Sequence, residues 1–163
     1  MSIVFSGNEL IDIAIGIETR GITFYDIMAK STDNEIASQV FQNLADMERE
    51  HIRIFQEMLD EADKYQPLED KNEEEEYASY LQALIDNAVF TDDMITSEMA
   101  TQADSDIQAV ELGISAEKDS ILFYYEMRDI MPQQALPMIN RIITEEKSHL
   151  RQLSEVKKRL AGA

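Results

Sequence analysis

The sequence predicts an all-α protein: a four-helix bundle built from two helical hairpins joined by a long crossover that carries a short helix. Three observations lead there. Four long stretches carry apolar residues at a helical period, and none alternates with a strand period long enough to need a sheet. Capping and breaking residues stand at the ends of those stretches. The first two stretches recur in the last two at offsets of 99 and 98 residues.

The elements follow in order. Ser6-Gly7-Asn8-Glu9 is a capping-box pattern, so helix A is expected over about 7–30. Its stripe is Ile11, Ile15, Glu18, Ile22 and Tyr25, with Ala14 and Met28 alongside. Thr32-Asp33-Asn34-Glu35 is a second capping box, which makes the connection short and A and B an antiparallel hairpin. Helix B is expected over about 33–64, with the stripe Ala37, Phe41, Leu44, Glu48, His51, Phe55 and Met58. Pro67 disfavours helix at the residue before it and closes the element.

The crossover, about 65–103, is the least regular part. Glu73 to Glu76 reads as a solvated charge run entering a short helix, whose apolar face is Tyr77, Tyr80, Leu81, Leu84 and Ile85. A further helical turn is expected within 89–103. Helix C follows over about 104–131, with the stripe Ile107, Val110, Ile114, Glu117, Ile121 and Tyr124, and Pro132 stops it. Helix D covers about 134–161, with the stripe Ile139, Ile142, Glu146, His149, Leu153, Val156 and Leu160. Pro137 is tolerated in its first turn, and Lys157, Lys158 and Arg159 suit the negative end of its dipole.

Composition fits this architecture. The 163 residues suffice for one domain, taken as 1–163, with a real core. Hydrophobic residues make up 44% and charged residues 29%, a globular balance. Cysteine is absent, which excludes disulfides, thiolate metal sites and cysteine nucleophiles, and suits a cytoplasmic location. The start of the chain has no basic region followed by an apolar run, so no signal peptide is expected. No apolar run approaches a membrane span. The net charge of -19 argues against nucleic acid or an anionic membrane as partner. It serves solubility, and acidic side chains also attract metal cations.

The stripes are interrupted where the chain repeats itself. Glu18 falls on Glu117, Ile22 on Ile121, Tyr25 on Tyr124 and Met28 on Met127. Glu48 falls on Glu146 and His51 on His149. A Glu and a His three residues apart share a helix face, and here that face is the one to be buried. A single such Glu is more often at a helix edge, and a single such His is more often a hydrogen-bonded core residue. The combination is harder to dismiss. Glu fills 19 of 163 positions and there are only 2 His, so a Glu three residues before each is about a 1 in 70 coincidence. Four buried carboxylates without a counter-charge would repel and largely protonate. Two divalent cations would balance them. Oxygen and imidazole donors without thiolate suit iron or manganese, and zinc also fits.

Two single glutamates with two Glu-x-x-His motifs form the pattern of ferritin-like di-iron and di-manganese bundles. Over about residues 7–160 the chain resembles the rubrerythrin-related, ferritin-like di-iron carboxylate proteins. The matching residues are Glu18, the Glu48-Arg49-Glu50-His51 motif, Glu117, and the Glu146-Lys147-Ser148-His149 motif. The resemblance implies two iron ions bridged by Glu48 and Glu146, with Glu18 and Glu117 as terminal ligands and one His on each metal. There are two departures. Rubrerythrins proper carry a rubredoxin-like module held by four cysteines, and this chain has none, so its electrons are expected from an external donor protein. Rubrerythrins also place an extra Glu one turn after the third-helix ligand. That position is Ser120, and its repeat mate is Gly21.

The expected activity is reduction of hydrogen peroxide or dioxygen. Iron handling (ferroxidation, storage or delivery) is the alternative, and a non-enzymatic bundle with structural metals a third. Tyr25 and Tyr124 lie two turns from Glu18 and Glu117 on the same faces; core packing accounts for them, with hydrogen bonding to the ligands or electron relay as the other role. A homodimer suits such bundles, although no leftover apolar stripe defines its interface.

Overall fold

The computed structural model describes residues 5–61, 75–87 and 105–162. Five α-helices and one 3₁₀ turn occur among them, without a strand: α1 (Gly7–Ser31), α2 (Glu35–Asp60), α3 (Glu75–Asp86), α4 (Asp106–Ile130), the 3₁₀ turn Gln133–Ala135, and α5 (Leu136–Leu160). Helices α1 and α2 form one hairpin and α4 and α5 the other. The long helices have 25 or 26 residues, roughly 38 Å at 1.5 Å per residue. The expected stop at Pro67 and the extra turn within 89–103 lie outside the described residues.

Local chemistry sets the helix ends. Ser6 Oγ accepts from the Glu9 amide (3.1 Å) while the Ser6 amide donates to Glu9 Oε2 (2.7 Å), completing the first capping box. The second expected box does not form. The N-cap of α2 is Asn34, whose Oδ1 accepts from the Ala37 amide (3.0 Å). Thr32 is already engaged as the C-cap of α1, with its amide bonded to the Met28 carbonyl. Ser105 caps α4 by accepting from the Gln108 amide (3.2 Å). In α3, Glu75 and Glu76 sit in the first turn, where the positive end of the helix dipole favours them.

The inner faces of α2 and α5 are those expected from hydropathy, apart from a half-buried Leu160. On α1 and α4 the buried face is rotated. Ile15, Ile22, Ile107, Ile114 and Ile121 are only half-buried. The core positions include Leu10, Ala14, Gly21 and Phe24 on α1, and Gly113, Ala116 and Phe123 on α4. The reason is packing. A Cβ at Gly113 would meet Leu153 Cδ1 at 3.2 Å and Phe24 Cε1 at 3.4 Å. Small residues in such places carry little hydropathy, so the isoleucines beside them dominate the sequence signal.

The core divides into two apolar clusters. One holds Leu10, Ile11 and Ala14 of α1, Ile54, Phe55 and Met58 of α2, Phe123, Tyr124, Met127 and Ile130 of α4, and Ile139, Ile142 and Ile143 of α5. The other holds Phe24, Tyr25 and Met28 of α1, Ala37, Phe41, Leu44 and Ala45 of α2, Ala109, Val110 and Ala116 of α4, and Leu153 with Val156 of α5. On each long helix the residues between the clusters include the polar interruption: Glu18, Glu48 with His51, Glu117, and Glu146 with His149. The two apolar blocks thus enclose one polar layer. No helix among the described residues is long and apolar enough to cross a membrane.

Candidate metal centre

All six interrupting residues meet in that layer, each no more than 3% exposed. They form two overlapping groups able to hold a metal ion. Glu18, Glu48, His51 and Glu146 make one, and Glu48, Glu117, Glu146 and His149 the other. Glu48 and Glu146 belong to both. The imidazoles of His51 and His149 stack with centroids 5.6 Å apart and planes 19° from parallel.

The donor atoms converge more than hydrogen bonding can explain. His51 Nδ1 lies 3.2 Å from Glu18 Oε2, 3.0 Å from Glu48 Oε2 and 2.9 Å from Glu146 Oε1. One ring nitrogen carries at most one proton and cannot serve three acceptors. His149 Nδ1 is placed likewise, 3.3 Å from Glu146 Oε2, 3.4 Å from Glu48 Oε1 and 3.7 Å from Glu117 Oε1. Glu48 Oε2, both oxygens of Glu146 and both nitrogens of His149 are buried without a hydrogen-bond partner among the described residues. Buried polar atoms are normally satisfied, and cations at the two foci would satisfy all of these except His149 Nε2, since it is Nδ1 that faces the carboxylates. The residues therefore fit a pair of metal ions.

Without metal, the layer balances charge by moving protons. Burial raises Glu18 and Glu117 well above the usual carboxylate range, and the charges of Glu48 and Glu146 add to it. Burial works the same way on Glu48 and Glu146, but the closeness of Glu18 or Glu117 and of both histidines outweighs it and lowers them. Burial opposes charge on the histidines, yet their carboxylate partners prevail. His149 is pushed up to about 12, and His51 is raised as well.

Tyr25 and Tyr124 do more than pack. The Tyr25 hydroxyl donates to Glu117 Oε1, and the Tyr124 hydroxyl donates to Glu18 Oε1. Each tyrosine thus reaches the glutamate of the opposite hairpin, not the one on its own helix. Burial and then the facing carboxylate hold both phenols well above their ordinary range, so they stay protonated donors.

Two features lie beyond the six residues singled out by the sequence. A cavity of about 40 Å³ is lined by Glu18, Gly21, Glu48, Glu117 and Ser120, with Leu84 and Ile85 of α3 also on its wall. Ser120 Oγ donates to the Ala116 carbonyl (3.1 Å), and a Cβ at Gly21 would stand 3.6 Å from Glu48 Cγ. Glu145, one residue off the inner stripe, puts Oε2 2.8 Å from His51 Nε2. Its stripe position gave no signal. Its place directly before a Glu-x-x-His glutamate was the available one.

An all-helical bundle whose core holds two overlapping carboxylate–imidazole groups defines the ferritin-like diiron-carboxylate class. Within that class the chain belongs to the rubrerythrin family, whose profile matches residues 9–157. A solved structure from Thermotoga maritima, described as a ferritin-like diiron-carboxylate protein, is similar to it with a TM-score of 0.69 and 28% identity. The match covers 95% of this chain and 96% of that one. No curated protein matches the sequence at a significant level.

Proposed function

We propose that the protein is a di-iron oxidoreductase that reduces hydrogen peroxide or dioxygen with electrons from an external donor protein. The observation that carries this reading is the cavity at Gly21 and Ser120, which brings a small molecule against the carboxylates of both groups. Glu48 and Glu146, shared by the groups, would hold both metals; Glu18 and Glu117 would each serve one, as would His51 and His149. Two bound ferrous ions would supply the two electrons that, with two protons, convert one peroxide to two waters.

The chain's own residues do the rest. At roughly 10–15 Å³ per water, the cavity accepts three or four water-sized molecules, a size that suits peroxide or dioxygen. The side chains of Leu84 and Ile85 limit water there. Tyr25 and Tyr124 fix the Glu117 and Glu18 carboxylates and keep a proton on each phenol oxygen beside them. These 163 residues include no cysteine and so no thiolate redox centre; an external donor protein and a reducing cytoplasm are consistent with that.

The test is metal content per chain, followed by anaerobic stopped-flow oxidation of the ferrous protein. Two irons oxidised rapidly by peroxide and much more slowly by dioxygen support the proposal. Oxygen-driven iron loading into a large hollow multimer supports iron storage instead. A folded, metal-free protein from metal-replete cells overturns both.

A further inference from the structure

We infer that Glu145 is a positioning residue for His51 and makes the two metal positions unequal, the position served by His51 binding its cation more tightly than the one served by His149. The inference rests on the two-metal reading above and concerns a difference between the halves that the ligand set itself does not show.

The six ligand candidates obey the internal repeat, but the groups behind them do not. His51 directs Nδ1 at Glu18, Glu48 and Glu146, and its other nitrogen, Nε2, meets Glu145 Oε2 at 2.8 Å. His149 directs Nδ1 at the corresponding carboxylates, but its Nε2 is buried with no hydrogen-bond partner among the described residues. The offset of 98 that lays Glu146 on Glu48 lays Glu145 on Met47. A thioether cannot replace the carboxylate as a strong acceptor.

The arrangement extends one residue further. Glu145 Oε1 accepts from Arg141 Nε at 3.0 Å, and the repeat mate of Arg141 is Asn43. The Glu145 carboxylate is therefore held from outside by a guanidinium and offers its free oxygen inward. The His149 half has neither member of this chain.

The chemistry sets the direction of the effect. An imidazole that binds a cation through Nδ1 must keep its proton on Nε2. A carboxylate receiving that N–H fixes the tautomer, restrains the ring and makes Nδ1 the better electron donor. Removing such a partner typically weakens metal binding about 10–100-fold. Glu145 is 22% exposed in its side chain and is not itself in either metal-holding group, so its loss leaves the donor set complete.

Anaerobic calorimetry with Co(II) tests this on the full-length chain, with the visible d–d spectrum recorded at each addition. The wild-type protein is expected to take two Co(II) ions in resolved steps. Glu145→Met, which copies the other half, is expected to lower the tighter affinity about 10–100-fold, to move the weaker one by less than about threefold, and to alter the spectrum of the first ion. Glu145→Gln keeps an oxygen acceptor and is expected to recover most of the loss, while Met47→Glu is expected to tighten the weaker step. Both affinities unchanged in Glu145→Met, or both lowered alike, overturns the inference. A wild-type chain that takes up no Co(II) overturns the two-metal reading instead, so the two failures are distinct.

Discussion

Loading the site with two divalent metals is expected to expel about four protons per chain. The upward shifts of His51, His149, Glu18 and Glu117 and the downward shifts of Glu48 and Glu146 favour a metal-free layer in which two protonated imidazoles face two ionised and two neutral carboxyls. With two divalent cations, four carboxylates and two neutral imidazoles, the charge is again balanced. The exchange removes one proton from each histidine and one each from Glu18 and Glu117. If all four leave, the overall binding constant for the pair rises about 10⁴-fold per pH unit, or about 5.4 kcal/mol at 1.36 kcal/mol per unit. The assay is anaerobic calorimetry near pH 7 in buffers of different ionisation enthalpy. The slope of observed heat against buffer enthalpy counts the protons. A slope of two or fewer refutes the reasoning, because the layer would then enter the reaction with its imidazoles already neutral or its four carboxylates already ionised.

Three further outcomes follow from the same layer and its walls. The metal-free protein is expected to lose stability as pH rises above about 4.5, where the unfolded Glu18 and Glu117 release protons that the folded ones keep, and further above about 6.5, where the unfolded histidines do the same, up to about 12 for His149. The metal-loaded layer keeps none of these protons and does not lose stability in this way, so the gap between melting temperatures with and without chelator widens from pH 6 to 9; a constant gap contradicts the assignment. Glu117→Ala is expected to lose metal occupancy while keeping its helical circular dichroism, and unchanged occupancy removes Glu117 from the site. Leu44→Ala, at a fully buried position in the apolar cluster beside the layer, is expected to cost about 2–5 kcal/mol by chemical denaturation. A loss below about 1 kcal/mol means that Leu44 does not pack as described.

The legible parts of the molecule are those where one residue type carries one meaning. Helices α2 and α5 were readable because Phe41, Leu44, Phe55, Ile139, Ile142 and Leu153 are both apolar and inward. The six polar interruptions stood out against that background, and the internal repeat related their two halves. On α1 and α4 the true inner face uses Ala14, Gly21, Gly113 and Ala116, which close packing requires and hydropathy hardly registers. The cap at Asn34 was missed because Thr32 had two available roles and the end of α1 took it. The partners of Tyr25 and Tyr124 were not legible at all. Helical spacing links each tyrosine to the glutamate on its own helix, whereas the hydrogen bond crosses to the other hairpin.

The pattern of likeness between the halves follows from how much each position costs to change. Removing one member of the buried layer strands a charge or a polar group, at about 3–5 kcal/mol for a buried pair. Glu18 and Glu117, Glu48 and Glu146, and His51 and His149 are identical across the repeat. Half-exposed and exposed positions cost much less to change, usually within about 0.5 kcal/mol on the surface, and there the halves differ. Asp26 pairs with Arg49 at 2.7 Å, whereas the equivalent Tyr125 and Lys147 meet through hydroxyl and ammonium, with Arg128 over the ring. Met47 stands opposite Glu145 and Asn43 opposite Arg141, while the buried Gly21 stands opposite the half-buried Ser120. A symmetric donor set can hold two equal ions but cannot by itself distinguish them. Residues outside the ligand set can. Glu145 touches one histidine only, and the cavity opens where Gly21 and Ser120 leave room beside the shared carboxylate Glu48. Chemistry that separates this protein from other duplicated carboxylate bundles is therefore to be sought at those peripheral positions, since the six buried residues are already fixed by the cost of burying them.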